Sequence, residues 1–106
     1  MRIDNPLITV ITVSYNSVSV IEDTIESVLK QTYPRIEYII IDGGSRDGTV
    51  DIIRQYEKSI SFWISEKDSG VYHAMNKGID RATGEWLIFM NSGDRFYSET
   101  ILSQVF

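Results

Sequence analysis

Apolar and polar positions alternate along this chain in blocks with two different periods. From Leu7 to Tyr15 the run LITVITVSY is apolar or β-branched at almost every position, which predicts a strand buried on both faces. Ile21, Ile25, Val28 and Leu29 then recur at helical spacing until Thr32, Tyr33 and Pro34 stop the pattern, and Ser19 with Glu22 fits a capping box at its start. Ile36 to Asp42 reads as a second strand. Beyond the Gly43 to Gly48 loop, Val50, Ile53 and Tyr56 mark a short helix. Ile60 to Ser65 is a third strand, and Val71, Met75, Ile79 and Ala82 form a third helical stripe closed by Gly84 as a C-cap glycine. Glu85 to Met90 is a fourth strand, and Ser98 to Phe106 begins another helix. Strand and helix alternate throughout, so short right-handed crossovers predict the α/β class: a mainly parallel sheet with flanking helices.

That order decides where chemistry belongs. Open parallel sheets bind ligands outside the carboxyl ends of their strands. Here those ends carry Ser14, Tyr15 and Asn16; Asp42; Glu66, Lys67 and Asp68; and Asn91 to Asp94.

Composition narrows the chemistry further. The 106 residues carry no cysteine and one histidine, His73, so thiolate and imidazole metal cages are excluded and any metal must be a hard cation on oxygen ligands. A net charge of -5 with scattered Lys and Arg gives no footprint for nucleic acid. No apolar run approaches the roughly 20 residues of a membrane span. Arg2, Asp4, Asn5 and Pro6 provide no apolar core of a secretory signal, which makes cytoplasmic residence the default expectation. Neither G-x-G-x-x-G nor G-x-x-x-x-G-K-[ST] occurs, which disfavours dinucleotide dehydrogenases and P-loop enzymes.

What remains is a rim of carboxylates, Asp42, Asp47, Asp68 and Asp94, with Tyr15 as an aromatic face. Such a rim can hold Mg²⁺ or Mn²⁺, which completes its shell with substrate phosphates and neutralises a departing diphosphate. Plainer roles compete. Asp47 before Gly48 suits a turn, and Asp68 or Ser69 suits a helix cap. His73 reads as a surface or packing residue, and Trp63 and Trp86, inside strand patterns, read as core or helix-packing residues rather than a stacking platform. Gly78, inside a helix, calls for a close approach of backbone or ligand.

The segments TVITVSYN, IIIDGGSRDGT, DSGVYHAMNKG and TGEWLIFMNSGD together resemble the nucleotide-binding half of the inverting family 2 glycosyltransferases with the GT-A fold, a Rossmann-like architecture, over nearly the whole chain. The resemblance implies transfer of a sugar from a nucleotide-diphosphate sugar donor to a saccharide or lipid-linked acceptor in surface polysaccharide synthesis. It also implies Mn²⁺ or Mg²⁺ as cofactor, and peripheral association with the inner face of the membrane through segments outside this sequence. By the same resemblance Tyr15 borders the donor base, with Asn16 beside it, and Asp42 meets the base or ribose. Asp68, Asn76, Gly78 and Ser92 line the donor pocket, and Asp94 is the metal ligand.

Two positions depart from the family pattern. The second of the two aspartates that often follow the second strand is Gly43, which leaves the base open, and the D-x-D element reads Asn91-Ser92-Gly93-Asp94. Either Asp94 alone among protein side chains ligates the cation, with waters and diphosphate oxygens completing the shell, or the metal binds weakly. The family's general base lies in the second half of the fold, so no catalytic residue is assigned in residues 1–106, which are expected to form the donor-binding part of a longer domain. An apolar helical pattern running to Phe106 agrees with that. The competing reading is a non-catalytic nucleotide-binding or interaction module; a phospho-receiver domain would need paired acids after the first strand.

Overall fold

The computed structural model describes residues 5–106; Arg2 and Asp4, used above for targeting, lie outside the described residues. Four strands, β1 (Ile8–Ser14), β2 (Ile36–Asp42), β3 (Phe62–Ser65) and β4 (Trp86–Phe89), form one sheet in the order β3-β2-β1-β4 with every pairing parallel. Helices α1 (Ile21–Leu29), α2 (Thr49–Gln55), α3 (Val71–Arg81) and α4 (Ile101–Val105) cover its faces, and a 3₁₀ turn, Glu57–Ser59, leads into β3.

Every residue of β1 is buried, as the absence of alternation predicts, because each face of the strand has its own core. On one face Ile8 and Val10 join Tyr38 and Ile40 of β2, with Ile21, Ile25 and Val28 of α1, Ile53 of α2 and Leu102 of α4. Opposite, Ile11 and Val13 join Ile39, Ile41 and Ala74 of α3. Polar residues on the central strands find partners inside. The hydroxyls of Thr12 and Tyr38 share a hydrogen bond of 2.8 Å, and burial pushes the Tyr38 phenol well above its usual range. At the strand starts Glu37 accepts hydrogen bonds from the Thr9 and Thr83 hydroxyls and the Thr83 amide; burial opposes ionisation, but these donors together hold the carboxyl below its usual value.

Several local expectations are corrected. Ser19 makes no capping box: α1 starts after Val20 without a side-chain cap, the Ser17 carbonyl accepts the Val20 and Ile21 amides, and Glu22 instead accepts the Tyr56 hydroxyl. Tyr56 also donates to Glu26, and these two carboxylates raise its pKa. Gly84 is not the C-cap of α3, which ends at Ala82 in extended geometry; a Cβ at Gly84 would lie 2.7 Å from the Thr9 amide nitrogen and 2.9 Å from the Leu7 carbonyl, so close backbone contact with β1 explains this glycine. β3 begins two residues later than Ile60, although Ser61 still bonds Tyr38 through both its amide and its hydroxyl. The last helix starts at Ile101, because Ser98 forms the turn before it, its hydroxyl accepting the Thr100 amide. Trp63 packs against the core, but Trp86 is 55% exposed on the outer strand, where its ring meets Phe106 at 5.6 Å.

Candidate functional site

The sheet register brings three strand ends together. Ser14 pairs with Asp42, and Asp42 with Ser65, so two hydroxyls flank one carboxylate. Ser14 and Ser65 donate to Asp42 at 2.7 and 2.8 Å, and the loop that follows returns the Ser45 hydroxyl (2.6 Å) and the amides of Gly44 (3.1 Å) and Ser45 (2.8 Å). Burial alone would raise the Asp42 pKa, but the Ser45 hydroxyl and amide, with Ser14 and Ser65, outweigh it and hold the carboxyl below its usual value. Asp42 is fully buried with both oxygens engaged. Its place is in a network that shapes the Gly43–Gly48 loop.

The neighbouring loops are tied in the same way. Asn16, at φ +46°, accepts the Arg46 amide on its side chain and donates its own amide to Ser45. Asp47 accepts the Val18 amide and the Thr49 amide and hydroxyl, so the turn role holds; the Thr49 hydroxyl is foremost in lowering its pKa. Ser17 shares a hydrogen bond of 2.7 Å with Ser92 across the sheet edge.

Between these loops and the start of α3 lies a cleft of about 470 Å³, lined by Val13, Ser14, Tyr15, Gly43, Lys67, Asp68, Gly70, Val71, Ala74, Asn91 and Ser92. It sits at the carboxyl ends of the strands, as the topology requires. The ring of Tyr15 is largely exposed there. Asp68 accepts the Gly70 amide on Oδ1, while its buried Oδ2 has no partner among the described residues; the same holds for Oδ1 of Asn91. Unmade hydrogen bonds on buried acceptors are costly, and here both acceptors line the cleft.

Of the residues named from the sequence, the cleft gathers Tyr15, Asp68 and Ser92. Asn16 and Asp42 support its loops. Asn76 is exposed on α3 away from the lining, and Gly78 faces the sheet, where a Cβ would meet Ile11 Cγ2 at 2.6 Å. Its missing side chain therefore serves helix-to-sheet packing. Asp94 is exposed after a turn closed by its amide on the Asn91 carbonyl, two residues beyond Ser92 and outside the cleft lining. Among the described residues no group of three acidic or histidine side chains could hold a metal ion. Asp94 is thus a lone exposed carboxylate, a donor set that fits a hard cation only where phosphate oxygens and water supply the other ligands. His73 is exposed and accepts the Ser69 amide on Nδ1, which makes it a surface residue that ties down the loop before α3. Sequence reading placed Ser14 and Asn91 at strand ends without giving either a role, and left out Ser45 as a partner of Asp42 and Ser65 as a strand-end donor; aligning the strand ends in parallel register would have joined Ser14 and Ser65 to Asp42.

Residues 9–105 match the family described as Glycosyl transferase family 2. The chain belongs to that family. Among its relatives, an uncharacterized glycosyltransferase of Mycobacterium tuberculosis is 43% identical over 93% of this chain and 38% of its own length. TuaG of Bacillus subtilis, named for teichuronic acid biosynthesis, is 44% identical over 94% of this chain and 41% of its own. The family 2 chain thus spans about two fifths of these curated relatives. The mannosyltransferase PcManGT of Pyrobaculum calidifontis, solved with GDP-Man and Mn²⁺, superposes with a TM-score of 0.83 at 27% identity, covering 92% of this chain and 30% of that one. Residues 1–349 of S. aureus TarS, solved with UDP-GlcNAc, give 0.83 at 25% identity, over 93% and 30%. These likenesses agree with the α/β, GT-A-type architecture, and among the described residues no helix is long and apolar enough to cross a membrane.

Proposed function

We propose that this family 2 chain is the donor-binding part of an inverting glycosyltransferase, in which a sugar passes from a nucleotide-diphosphate sugar to a saccharide or lipid-linked acceptor in surface polysaccharide synthesis. The observation that carries the reading is the cleft at the strand ends, with one aromatic face and two unsatisfied buried acceptors. Support comes from the nucleotide sugars bound by PcManGT and TarS and from the biosynthetic name of TuaG.

In this reading Tyr15 borders the nucleoside, Asp68 and Asn91 accept its N–H and O–H groups, and Ser92, fixed by Ser17, holds the far bank in place. Asp42 acts through the loop it organises. Asn76 and Gly78 belong to the helix that positions Asp68. Asp94 is the residue we assign to a divalent cation, Mn²⁺ or Mg²⁺, which when bound would neutralise the diphosphate leaving group. The carboxylate that deprotonates the acceptor is placed outside residues 1–106.

Thermal unfolding with UDP-, GDP- and dTDP-sugars, with and without Mn²⁺, tests this. A donor at 100 times its Kd stabilises by about 2.7 kcal/mol, which in a chain of this size raises the midpoint by on the order of 10 °C. Asp94→Ala is expected to remove the Mn²⁺-dependent part of the rise. A midpoint unmoved by every donor, with or without metal, would favour a non-catalytic interaction module instead.

A further inference from the structure

We infer that Thr24 and Ser27 of α1 are positioning residues for Asp94, holding the backbone on either side of it so that its carboxylate meets a divalent cation in one geometry. The inference rests on the reading above in which Asp94 takes the cation, and adds residues that touch neither cation nor donor.

α1 places a polar atom where an apolar one would serve. Its buried stripe is Ile21, Thr24, Ile25 and Val28, and Thr24 is fully buried. A hydroxyl in such surroundings costs free energy unless it is bonded. Its link to the Val20 carbonyl is long, at 3.5 Å, whereas it accepts the Gly93 amide at 2.9 Å. Three residues on, the Ser27 hydroxyl donates to the Thr24 carbonyl at 2.9 Å and accepts the Phe96 amide at 3.2 Å. Gln31 continues the row, donating to the Ser98 carbonyl at 2.6 Å and accepting the Leu102 amide at 3.1 Å. Positions 24, 27 and 31 follow one another on one helix face, so α1 offers a ladder of side-chain partners to the segment that leaves β4.

Asp94 sits between the first two rungs. Ser92 donates its amide to the Val13 carbonyl at 3.0 Å, Asp94 donates its own to the Asn91 carbonyl at 2.9 Å, and Thr24 and Ser27 take the amides of Gly93 and Phe96. Gly93 turns the chain at φ +99°, and a glycine adds no stiffness of its own. The direction in which residue 94 leaves the turn therefore depends on the bond at the Gly93 amide. The Asp94 side chain stays exposed while its backbone is pinned on both sides. A cation that draws on one protein carboxylate gains affinity when that carboxylate need not be ordered on binding.

Titration with Mn²⁺ in the presence of UDP or GDP, followed by the electron paramagnetic resonance signal of free Mn²⁺, tests this on the purified protein, with Asp94→Ala as reference. Thr24→Val keeps a branched side chain in the apolar stripe but removes the acceptor. It is expected to raise the Kd for Mn²⁺ by about tenfold, in the range typical of residues that orient metal ligands, and to leave nucleotide binding in EDTA unchanged. Thr24→Ser loses a buried methyl but keeps the hydroxyl, so it should retain the parent affinity for Mn²⁺ even as its thermal midpoint falls. Ser27→Ala, at a half-buried position, should weaken Mn²⁺ in the same sense and gives the reading if Thr24→Val does not fold. Unchanged Mn²⁺ affinity in Thr24→Val or, should that variant not fold, in Ser27→Ala overturns the inference while leaving the role of Asp94 intact. So does a Thr24→Ser protein that binds Mn²⁺ as weakly as Thr24→Val, because metal affinity would then follow packing rather than the hydroxyl. If the unmodified protein retains no Mn²⁺ with either nucleotide, or Asp94→Ala binds it as the parent does, the assignment of Asp94 falls and this inference with it.

Discussion

Asp42 concentrates five hydrogen bonds on one buried carboxylate, and its cost and benefit both depend on ionisation. Its folded pKa lies below the unfolded value of about 3.9, so its stabilisation is complete above about pH 4 and is lost as pH falls through the folded pKa. Asp42→Asn confronts the same donors with an NH₂ group and is expected to cost about 2–3 kcal/mol at pH 7. Urea midpoints should show the gap between variant and parent narrowing below pH 4; a gap that stays constant down to pH 2.5 would contradict the assignment. Glu37, also depressed, is present in both proteins and cancels. The sequence marked Asp42 as important because a buried strand ended on it. It could not show whether the carboxylate faced ligand or protein, since Ser14 and Ser65 become its neighbours only through parallel pairing with strands 28 and 23 positions away. Asp68 was legible as a strand-end acid, but the free oxygen that distinguishes it from a simple cap exists only in three dimensions.

At the scale of elements, α3 joins the β3 edge of the sheet to the β4 edge and packs across β2 and β1 on the way. Its close seat depends on Gly78 meeting the branched, stiff side chain of Ile11. Gly78→Ala gains about 1 kcal/mol of helix propensity, but overpacking costs about 1–3 kcal/mol. A net loss is expected in chemical denaturation, and in an Ile11→Ala background the same change should become stabilising. Additive effects in that cycle would rule out the contact. Strand and helix order was readable from periodicity alone, because buried strands and amphipathic helices carry different repeats. Caps were not: the Ser19 and Gly84 signals are local patterns overridden by the Ser17 carbonyl and by backbone contact with Thr9.

Across the whole molecule, β1 and β2 are each paired on both sides while β3 and β4 are outer strands, so protection is expected to be graded. Amide hydrogen exchange should be slowest in Ile8–Ser14 and Ile36–Asp42 and faster by orders of magnitude in α4, which is only five residues long; uniform protection would argue against this hierarchy. The alternation of elements revealed a parallel sheet, but not that β4 would lie on the opposite side of β1 from β2, since nothing in strand composition encodes the direction of a crossover. That reversal also sets a timetable for the chain as it leaves the ribosome. The first three strands can associate early, but one edge of β1, lined by buried Ile, Val and Thr, stays bare until β4 arrives more than 70 positions later, when Ser92 reaches Ser17. An open edge of that composition invites pairing with other nascent chains. Synthesis slowed between α3 and β4 would therefore expose the protein at its most adhesive stage, with the cleft still lacking its Asn91 and Ser92 side.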